Sequence, residues 1–199
     1  MTGVRLAALC VPGRAESWRD LGFAVVDDTV ALANGAIRLG ADECSLELEP
    51  PGRDVPTVDG VLVTIGAGVD AVVHPNGAVE LDHVVVMTDS IERTSAAIEE
   101  LLGLEQRRLR ETDTVRQGFH RFADAPDGTR GCIVEVVERP DVTSVGIWGV
   151  VVVVDDIDRA VAEAGGRIGT PKPAVQQGRR IASVPRAAGL SLAVAVMSR

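Results

Sequence analysis

The sequence predicts an α+β protein built from β-α-β-β-β units in tandem. Three observations predict it: the chain repeats itself internally, each copy has the same order of strand and helix patterns, and the composition is that of an ordinary globular protein. The 199 residues are 46% hydrophobic and 25% charged. A chain of this length can bury a hydrophobic core, as one domain or two small ones, without disulfides or metal ions to stabilise it.

The internal repeat lies in the C-terminal part of the chain. Residues 84–96 read VVVMTDSIERTSA and residues 150–162 read VVVVVDDIDRAVA, with seven identities in thirteen positions at an offset of 66. Each copy begins with a valine-rich run typical of a strand, continues with an acidic helix start and ends at a glycine, Gly103 or Gly165. Because such a repeat marks a repeated structural unit, we expect the two copies to fold alike.

Helix and strand signals complete each unit. Asp89 and Glu92 predict a helix start in the first copy, because acidic side chains there accept hydrogen bonds from free amides and complement the helix dipole. Asp155 and Asp158 do the same in the second copy. Strand-like stretches follow the first helix at 104–109, 116–122 and 131–138, and the second at 171–175, 180–184 and 190–196. Each unit is therefore β-α-β-β-β.

A weaker third copy opens the chain. An apolar run at 6–11, a helix at 14–21 and a hairpin at Asn34-Gly35 follow the same order, and Asn-Gly between apolar runs is a strong hairpin signal. These features predict the following organisation: a degenerate βαβββ-like module at 1–68, a linker at 69–79, and paired modules at 80–199, divided into 80–140 and 143–198.

Charge and cysteine content narrow the function classes. The formal net charge of -9 argues against a nucleic-acid or anionic-membrane surface, since such binding depends on Lys and Arg. No apolar stretch approaches the roughly 20 residues of a membrane-spanning helix. Three cysteines without a CxxC pair indicate neither a disulfide framework nor a zinc knuckle. We therefore expect a soluble cytoplasmic protein that binds neither nucleic acid nor membrane, and a homodimer is left open.

The first strand of the first unit carries a short motif. It reads Leu81-Asp82-His83-Val84-Val85 and leads into the helix start. With its paired units, the chain resembles the vicinal oxygen chelate superfamily, which contains glyoxalase I, extradiol dioxygenases and the bleomycin- and fosfomycin-resistance proteins. The resemblance covers about residues 80–198. It implies a cup-shaped mixed sheet with helices on its outer face, and a divalent metal or an organic ligand on the concave face.

In the metal sites of that superfamily, each unit offers one ligand near the start of its first strand and another in its fourth strand. The resemblance therefore implies His83 and Glu135 as metal ligands in the first unit, whereas the second unit has Gly149 and Ala193 at the matching places. Two of four ligands are thus missing. The favoured interpretation is a glyoxalase-like protein that binds a small organic molecule without a complete metal site and without a resident metal.

The alternative interpretation is a metal-dependent lyase, isomerase or dioxygenase. In it, His83 and Glu135 hold Zn, Fe, Mn, Ni or Co, with ligands completed by solvent, substrate or a second subunit. Strand alternation independently places Glu135 on one face with Ile133 and Val137, opposite an apolar face formed by the intervening residues. Glu135 is the candidate catalytic residue, since it could orient His83 in an acid-base pair.

Four further residues are candidates for contact with a ligand in the cup. His120 and Arg116 share one face of the third strand of the first unit, and the hypothesis is that this face lines the cup. Trp148 offers an aromatic ring for stacking. Gly149 has two interpretations: its missing side chain enlarges the cup, or it marks a bulge beside Trp148.

Overall fold

The computed structural model describes residues 3–50 and 56–199, which form two β-sheets and three α-helices. The first sheet contains β1 (Leu6–Val11), β2 (Thr29–Leu32), β3 (Gly35–Leu39), β4 (Ser45–Leu48), β5 (Thr57–Val58) and β6 (Val61–Ile65), with α1 (Ala15–Arg19) after β1. The second contains β7 (Ala78–Thr88), β8 (Arg108–Glu111), β9 (Arg116–Arg121), β10 (Ile133–Glu138), β11 (Gly146–Val154), β12 (Lys172–Pro173), β13 (Arg180–Ser183) and β14 (Ala193–Ser198). Helix α2 (Ile91–Leu102) follows β7, α3 (Ile157–Glu163) follows β11, and a 3-10 turn covers Arg186–Ala188.

The second sheet is built from two β-α-β-β-β units. Its strand order is β12-β13-β14-β11-β7-β10-β9-β8, so each unit has its first strand beside its fourth, then its third, then its second. The first strands of the two units, β7 and β11, pair antiparallel at the centre of the sheet. The predicted fold class, α+β with tandem βαβββ units, is confirmed.

The pairing of β7 with β11 is symmetric about one residue pair. Val84 lies opposite Val150, while His83 lies opposite Val151 and Val85 opposite Gly149. The offset of 66 residues found in the sequence relates these pairs to one another: it relates Val84 to Val150, and it converts the His83–Val151 pair into the Gly149–Val85 pair. The register also shifts at Asp82 in β7 and at Trp148 in β11, and these bulged residues are related by the same offset.

Both long helices begin one residue later than the acidic residues predicted. Ser90 caps α2 by accepting a hydrogen bond from the Arg93 amide, and Asp156 caps α3 by accepting from the amides of Asp158 and Arg159. The predicted caps instead form ion pairs one turn ahead, between Asp89 and Arg93 and between Asp155 and Arg159. Serine and aspartate are both good caps, so the sequence pattern allowed either position.

The first sheet has the strand order β2-β3-β1-β4-β6-β5. Its β1 pairs parallel with β3, its β4 pairs parallel with β6, and β1 and β4 pair antiparallel between them. This is the order of the large sheet without its two outermost strands. The N-terminal region therefore holds two shortened units side by side, where the sequence suggested one degenerate unit. The domain boundaries themselves stay a prediction.

The small sheet packs on the helix-bearing face of the large one. Leu46 and Val61 of the small sheet share an apolar cavity with Val86, Val134 and α2, and buried residues of both sheets form one hydrophobic cluster. Asn34, in the hairpin turn, joins the sheets by exchanging hydrogen bonds with the backbone of Leu81. This packing leaves the opposite face of the large sheet open. No helix in the described residues is long and apolar enough to cross a membrane.

Candidate functional site

The face of the large sheet that points away from the helices forms a cleft of about 400 Å³. We call this face the cup. Its lining is largely apolar, with His83, Gln117 and Glu135 as polar side chains from the first unit and Ser183 from the second. The lining also includes the aromatic Trp148 and the aliphatic Val85 and Ile181.

His83 and Glu135 come together on the floor of the cup. Strands β7 and β10 are parallel neighbours with His83 opposite Ile133, so Glu135 lies two residues further on the same face. His83 Nε2 lies 3.2 Å from Glu135 Oε2, and the two side chains are only 15% and 11% exposed. The two residues singled out in the sequence are therefore in direct contact.

Asp82 completes the contact from the other side of the imidazole. Side chains of consecutive residues in a regular strand point to opposite faces, but the bulge at Asp82 inserts an extra residue and lets neighbouring side chains meet. Asp82 Oδ2 lies 2.7 Å from His83 Nδ1, and Asp82 Oδ1 accepts a 2.7 Å hydrogen bond from Arg179. Burial raises the pKa of Asp82, but hydrogen bonds and attraction from His83 and Arg179 outweigh it and hold this pKa below its ordinary value.

Gln117 holds the far side of Glu135. Its amide donates a hydrogen bond to Glu135 Oε1, and its side-chain oxygen accepts one from Arg110. Sequence reasoning missed Gln117 because it assigned the other face of β9 to the cup. The signal was present, since Gly118 and Phe122 alternate with Gln117, and small or large apolar residues at that spacing indicate the face packed beneath a helix.

His120 and Arg116 therefore lie on the wrong face for the cup, and the prediction that they line it is wrong. His120 is fully buried beneath α2, where it hydrogen-bonds the Leu104 carbonyl and the Ser95 hydroxyl. Desolvation lowers its pKa, partly offset by the Leu104 hydrogen bond. Arg116 forms ion pairs with Glu92, Glu111 and Glu138. Its charge is therefore balanced by carboxylates on the helix-bearing side of the sheet.

The second unit offers no polar counterpart. Register places Gly149 opposite Ala193 and Val151 opposite Ala195, so the counterpart of Glu135 is Ala195 and not Ala193 as the sequence suggested. A Cβ on Gly149 would lie 2.7 Å from the Ala193 carbonyl oxygen. The absence of a side chain at Gly149 therefore allows the Ala193 backbone to approach closely, and it does not enlarge the cup. The bulged residue is Trp148, whose side chain is 49% exposed at the edge of the cleft.

A resident divalent metal needs three or four protein ligands. His83 and Glu135 supply two, their counterparts in the second unit have no ligating side-chain atoms, and the Asp82 carboxylate already binds Arg179 and His83. In the part of the chain that the structure describes, no group of three or more His, Cys, Asp or Glu side chains could hold a metal. These residues alone do not fit a metal site, and binding completed by other groups stays a prediction.

No protein-family model matches the sequence, and no curated protein matches it. Among solved structures, the chain is similar to a Streptomyces coelicolor methylmalonyl-CoA epimerase in complex with 2-nitronate-propionyl-CoA, at 17% identity and a TM-score of 0.48 over 59% of this chain and 95% of that one. It is also similar to the Mycobacterium tuberculosis methylmalonyl-CoA epimerase (14%, 0.47, 61% and 89%) and to a hypothetical protein from Bacillus halodurans (15%, 0.47, 60% and 94%).

The paired β-α-β-β-β units and the strand order of the large sheet are those that the resemblance to the vicinal oxygen chelate superfamily implied. At the level of the fold they confirm the resemblance drawn from the Leu81-Asp82-His83 motif. A vicinal oxygen chelate fold does not by itself define a reaction, because different chemistries are built on one scaffold. The chemistry open to this chain must be argued from the Asp82–His83–Glu135 arrangement.

Proposed function

We propose that the protein binds a small organic molecule in the cup and that the His83–Glu135 pair exchanges a proton with it. One observation carries the proposal: an imidazole held between two carboxylates lies on the floor of a largely apolar cleft. Burying such groups is costly unless they are paired. Titratable groups paired with one another in a cleft are typical of functional sites.

The hydrogen bonds of the site define where the exchangeable proton is. Asp82 is ionised because its pKa is lowered, so it can only accept, and His83 Nδ1 must carry a hydrogen toward it. His83 Nε2 then faces Glu135 Oε2 at 3.2 Å, so a hydrogen on either atom lies on the line between them. The Asp82 contact fixes the imidazole orientation, as in other carboxylate–histidine pairs used for general acid-base catalysis.

The rest of the cup favours a ligand with an apolar or flat body. Val85, Val137 and Val151 flank the acid-base pair, and Trp148 exposes about half of its side chain at the edge. An aromatic ring there can stack on a planar group. A cleft of about 400 Å³ lies within the size range of pockets that bind small organic molecules.

The binding part of the proposal is tested by screening a library of small aliphatic and aromatic compounds with ligand-observed NMR. We expect compounds that bind the wild-type protein to bind at least about tenfold more weakly to His83→Gln and Glu135→Gln, because each variant loses one hydrogen-bonding group of the pair. Glu43→Gln changes an exposed carboxylate on the loop before β4 and is the matched control. Binding that is equal in all four proteins would contradict the proposal.

The proton-transfer part is tested with bound compounds that carry a weakly acidic C–H group. In D₂O, the wild-type protein should catalyse hydrogen–deuterium exchange at that carbon, followed by ¹H NMR. Glu135→Gln and His83→Gln should each slow the exchange about 100-fold, the usual contribution of a general acid or base. Exchange at the wild-type rate in both variants would leave a binding protein without acid-base chemistry.

A second candidate function is the metal-dependent lyase, isomerase or dioxygenase. It is favoured by one observation, that His83 Nε2 and Glu135 Oε2 lie close enough together to bind one ion and border the cleft. Elemental analysis of protein purified without a histidine tag, before and after addition of Zn, Fe, Mn, Ni or Co, tests it. Near-stoichiometric metal that is lost in His83→Ala and Glu135→Ala would support this function, and no metal in any sample would exclude it.

A further inference from the structure

A second cleft lies beside the acid-base site, on the other side of Asp82. It has a volume of about 500 Å³ and shares the Asp82–Arg179 ion pair with the acid-base site. Ile133 lines this second cleft and lies between His83 and Arg121, because it is opposite His83 on β7 and opposite Arg121 on β9. Two strand spacings place the Arg121 backbone roughly 10 Å from that of His83. One small molecule can therefore reach both places.

Arginine side chains dominate the polar lining of this second cleft. Arg121, Arg130, Arg179 and Arg199 line it, beside the carboxylates of Glu80 and Asp82 and the amide of Gln176. The concentration is notable in a chain with 29 acidic and 20 basic residues, because the overall field of the protein repels anions. Asp82 is neutralised by Arg179, which leaves the cleft with an excess of positive charge.

In two of these arginines, the guanidinium charge is not balanced by a close carboxylate. Arg130 is exposed and forms no ion pair with any residue that the structure describes, and Arg121 has only a 3.8 Å contact with the half-exposed Asp124. Arg179, in contrast, is held by the Ser198 carbonyl and by Asp82. Guanidinium groups bind carboxylate and phosphate oxygens through paired hydrogen bonds.

We infer that Arg121 and Arg130, with the Gln176 amide, form an oxyanion subsite that binds the carboxylate or phosphate group of the ligand whose body lies in the cup. The inference rests on the proposed function and names its ligand class: a small organic acid or phosphate ester. The anionic group lies beyond Asp82, the ionisable atom lies at His83 and Glu135, and the apolar part extends toward Trp148.

Isothermal titration with three probes that share an aromatic body tests the inference: benzoate, phenyl phosphate and neutral benzamide. Wild-type protein should bind benzoate or phenyl phosphate more tightly than benzamide, and whichever anion binds better identifies the oxyanion. The double variant Arg121→Gln/Arg130→Gln should lose about tenfold or more in affinity for that anion, since charge-assisted hydrogen bonds are lost. Arg139→Gln is the matched control, because Arg139 also has one loose ion pair, 3.7 Å from Asp141.

Equal affinity of the double variant and the wild-type protein for both anions would overturn the subsite, as would benzamide binding as tightly as both anions or no binding of either anion at millimolar concentration. The failure of the subsite is distinguishable from failure of the proposed function. Neutral compounds that still depend on His83 and Glu135 would leave the proposed function standing. Anion binding that depends on Arg121 and Arg130 but not on His83 would support the subsite alone.

Discussion

The two β-α-β-β-β units of the large sheet share a backbone plan but differ in the side chains they present to the cup. Register relates every strand of one unit to a strand of the other. At four equivalent positions, the polar residues of the first unit are matched by uncharged residues of the second: Asp82, His83, Gln117 and Glu135 correspond to Trp148, Gly149, Ile181 and Ala195. The second unit shows that this half-sheet folds without a polar centre.

The comparison separates the requirements of folding from those of chemistry. On the helix-bearing face, both units bury valines, as at Val84 and Val150, because that face forms the core. On the cup face, only the first unit has an imidazole and carboxylates in contact. Replacing buried polar pairs by well-packed apolar residues is often neutral or stabilising, so stability gives no reason to keep the polar set in one unit. Its presence is better explained by ligand binding.

The strongest test of this difference places a side chain at Gly149. A Cβ there would approach the Ala193 backbone at 2.7 Å, so β14 must move. We expect Gly149→Ala to lower the free energy of unfolding by about 2 kcal/mol, the scale of overpacking in a tight structure, measured by urea denaturation. Gly146→Ala in the same strand, where a Cβ meets open space, should change stability by less than about 0.5 kcal/mol. Equal effects would show that no close contact excludes a side chain from Gly149.

A smaller effect is expected from Asp82→Asn, which makes the first unit less polar. The folded-state pKa of Asp82 is lowered, so its stabilisation is complete above the ordinary aspartate pKa of about 3.9 and is lost as the pH falls through the lowered value. At pH 7 the variant should be less stable by about 1.5 kcal/mol, the typical worth of a hydrogen bond to a charged group. Urea denaturation at pH 7 and at pH 3 should show this difference shrinking with acid.

The exposed Asp141 provides the control for this measurement. Asp141→Asn should change stability by less than about 0.5 kcal/mol at both pH values, because its contact with Arg139 is loose and exposed. A difference between wild type and Asp82→Asn that stays constant from pH 7 to pH 3 would mean that the Asp82 charge does not stabilise the fold.

The smallest effect is expected from Gln117→Ile, which copies the second unit into the first. Glu135 keeps its contact with His83, but the variant loses the hydrogen bonds of Gln117 with Glu135 and Arg110. The unfolding free energy should therefore fall by about 1 kcal/mol, at the lower end of about 0.5 kcal/mol for each bond. The reverse change, Ile181→Gln, places an amide beside the apolar cluster of Val151 and Met197. A large loss of stability in Gln117→Ile would show that the polar centre is structural, contrary to the comparison.

Much of the fold was predictable because the repeat can be found in the sequence alone and indicates two similar structural units. A unit of β-α-β-β-β with its helix on one face has few ways to pair its strands, and the offset of 66 aligned the two central strands correctly. The contact between His83 and Glu135 followed from alternation along β7 and β10. The N-terminal sheet was less predictable, since its short strands carry weaker periodicity and α1 has only five residues.

The parts of the site that were not predicted depend on features that alternation cannot show. The face of β9 was misassigned, because Arg116 and His120 look polar although both are satisfied beneath or beside α2. Arg179 binds Asp82 although the two residues are 97 positions apart in the sequence, and no local pattern predicts such a pairing. The bulge at Asp82 has no local signal either: it places Leu81 and His83 on opposite faces of β7, although regular alternation predicts one face for both.

The bulge at Asp82 makes the length of β7, and not only its composition, a determinant of chemistry. Because Asp82 is an extra residue between the Leu81–Val152 and His83–Val151 pairs, Asp82 and His83 can touch although they are consecutive. Removing that single residue would restore regular pairing, and Arg179 would lose its carboxylate without any change in the other side chains. Two chains of this fold that differ by a one-residue gap here would therefore differ in the partners of their imidazole, however similar they are elsewhere.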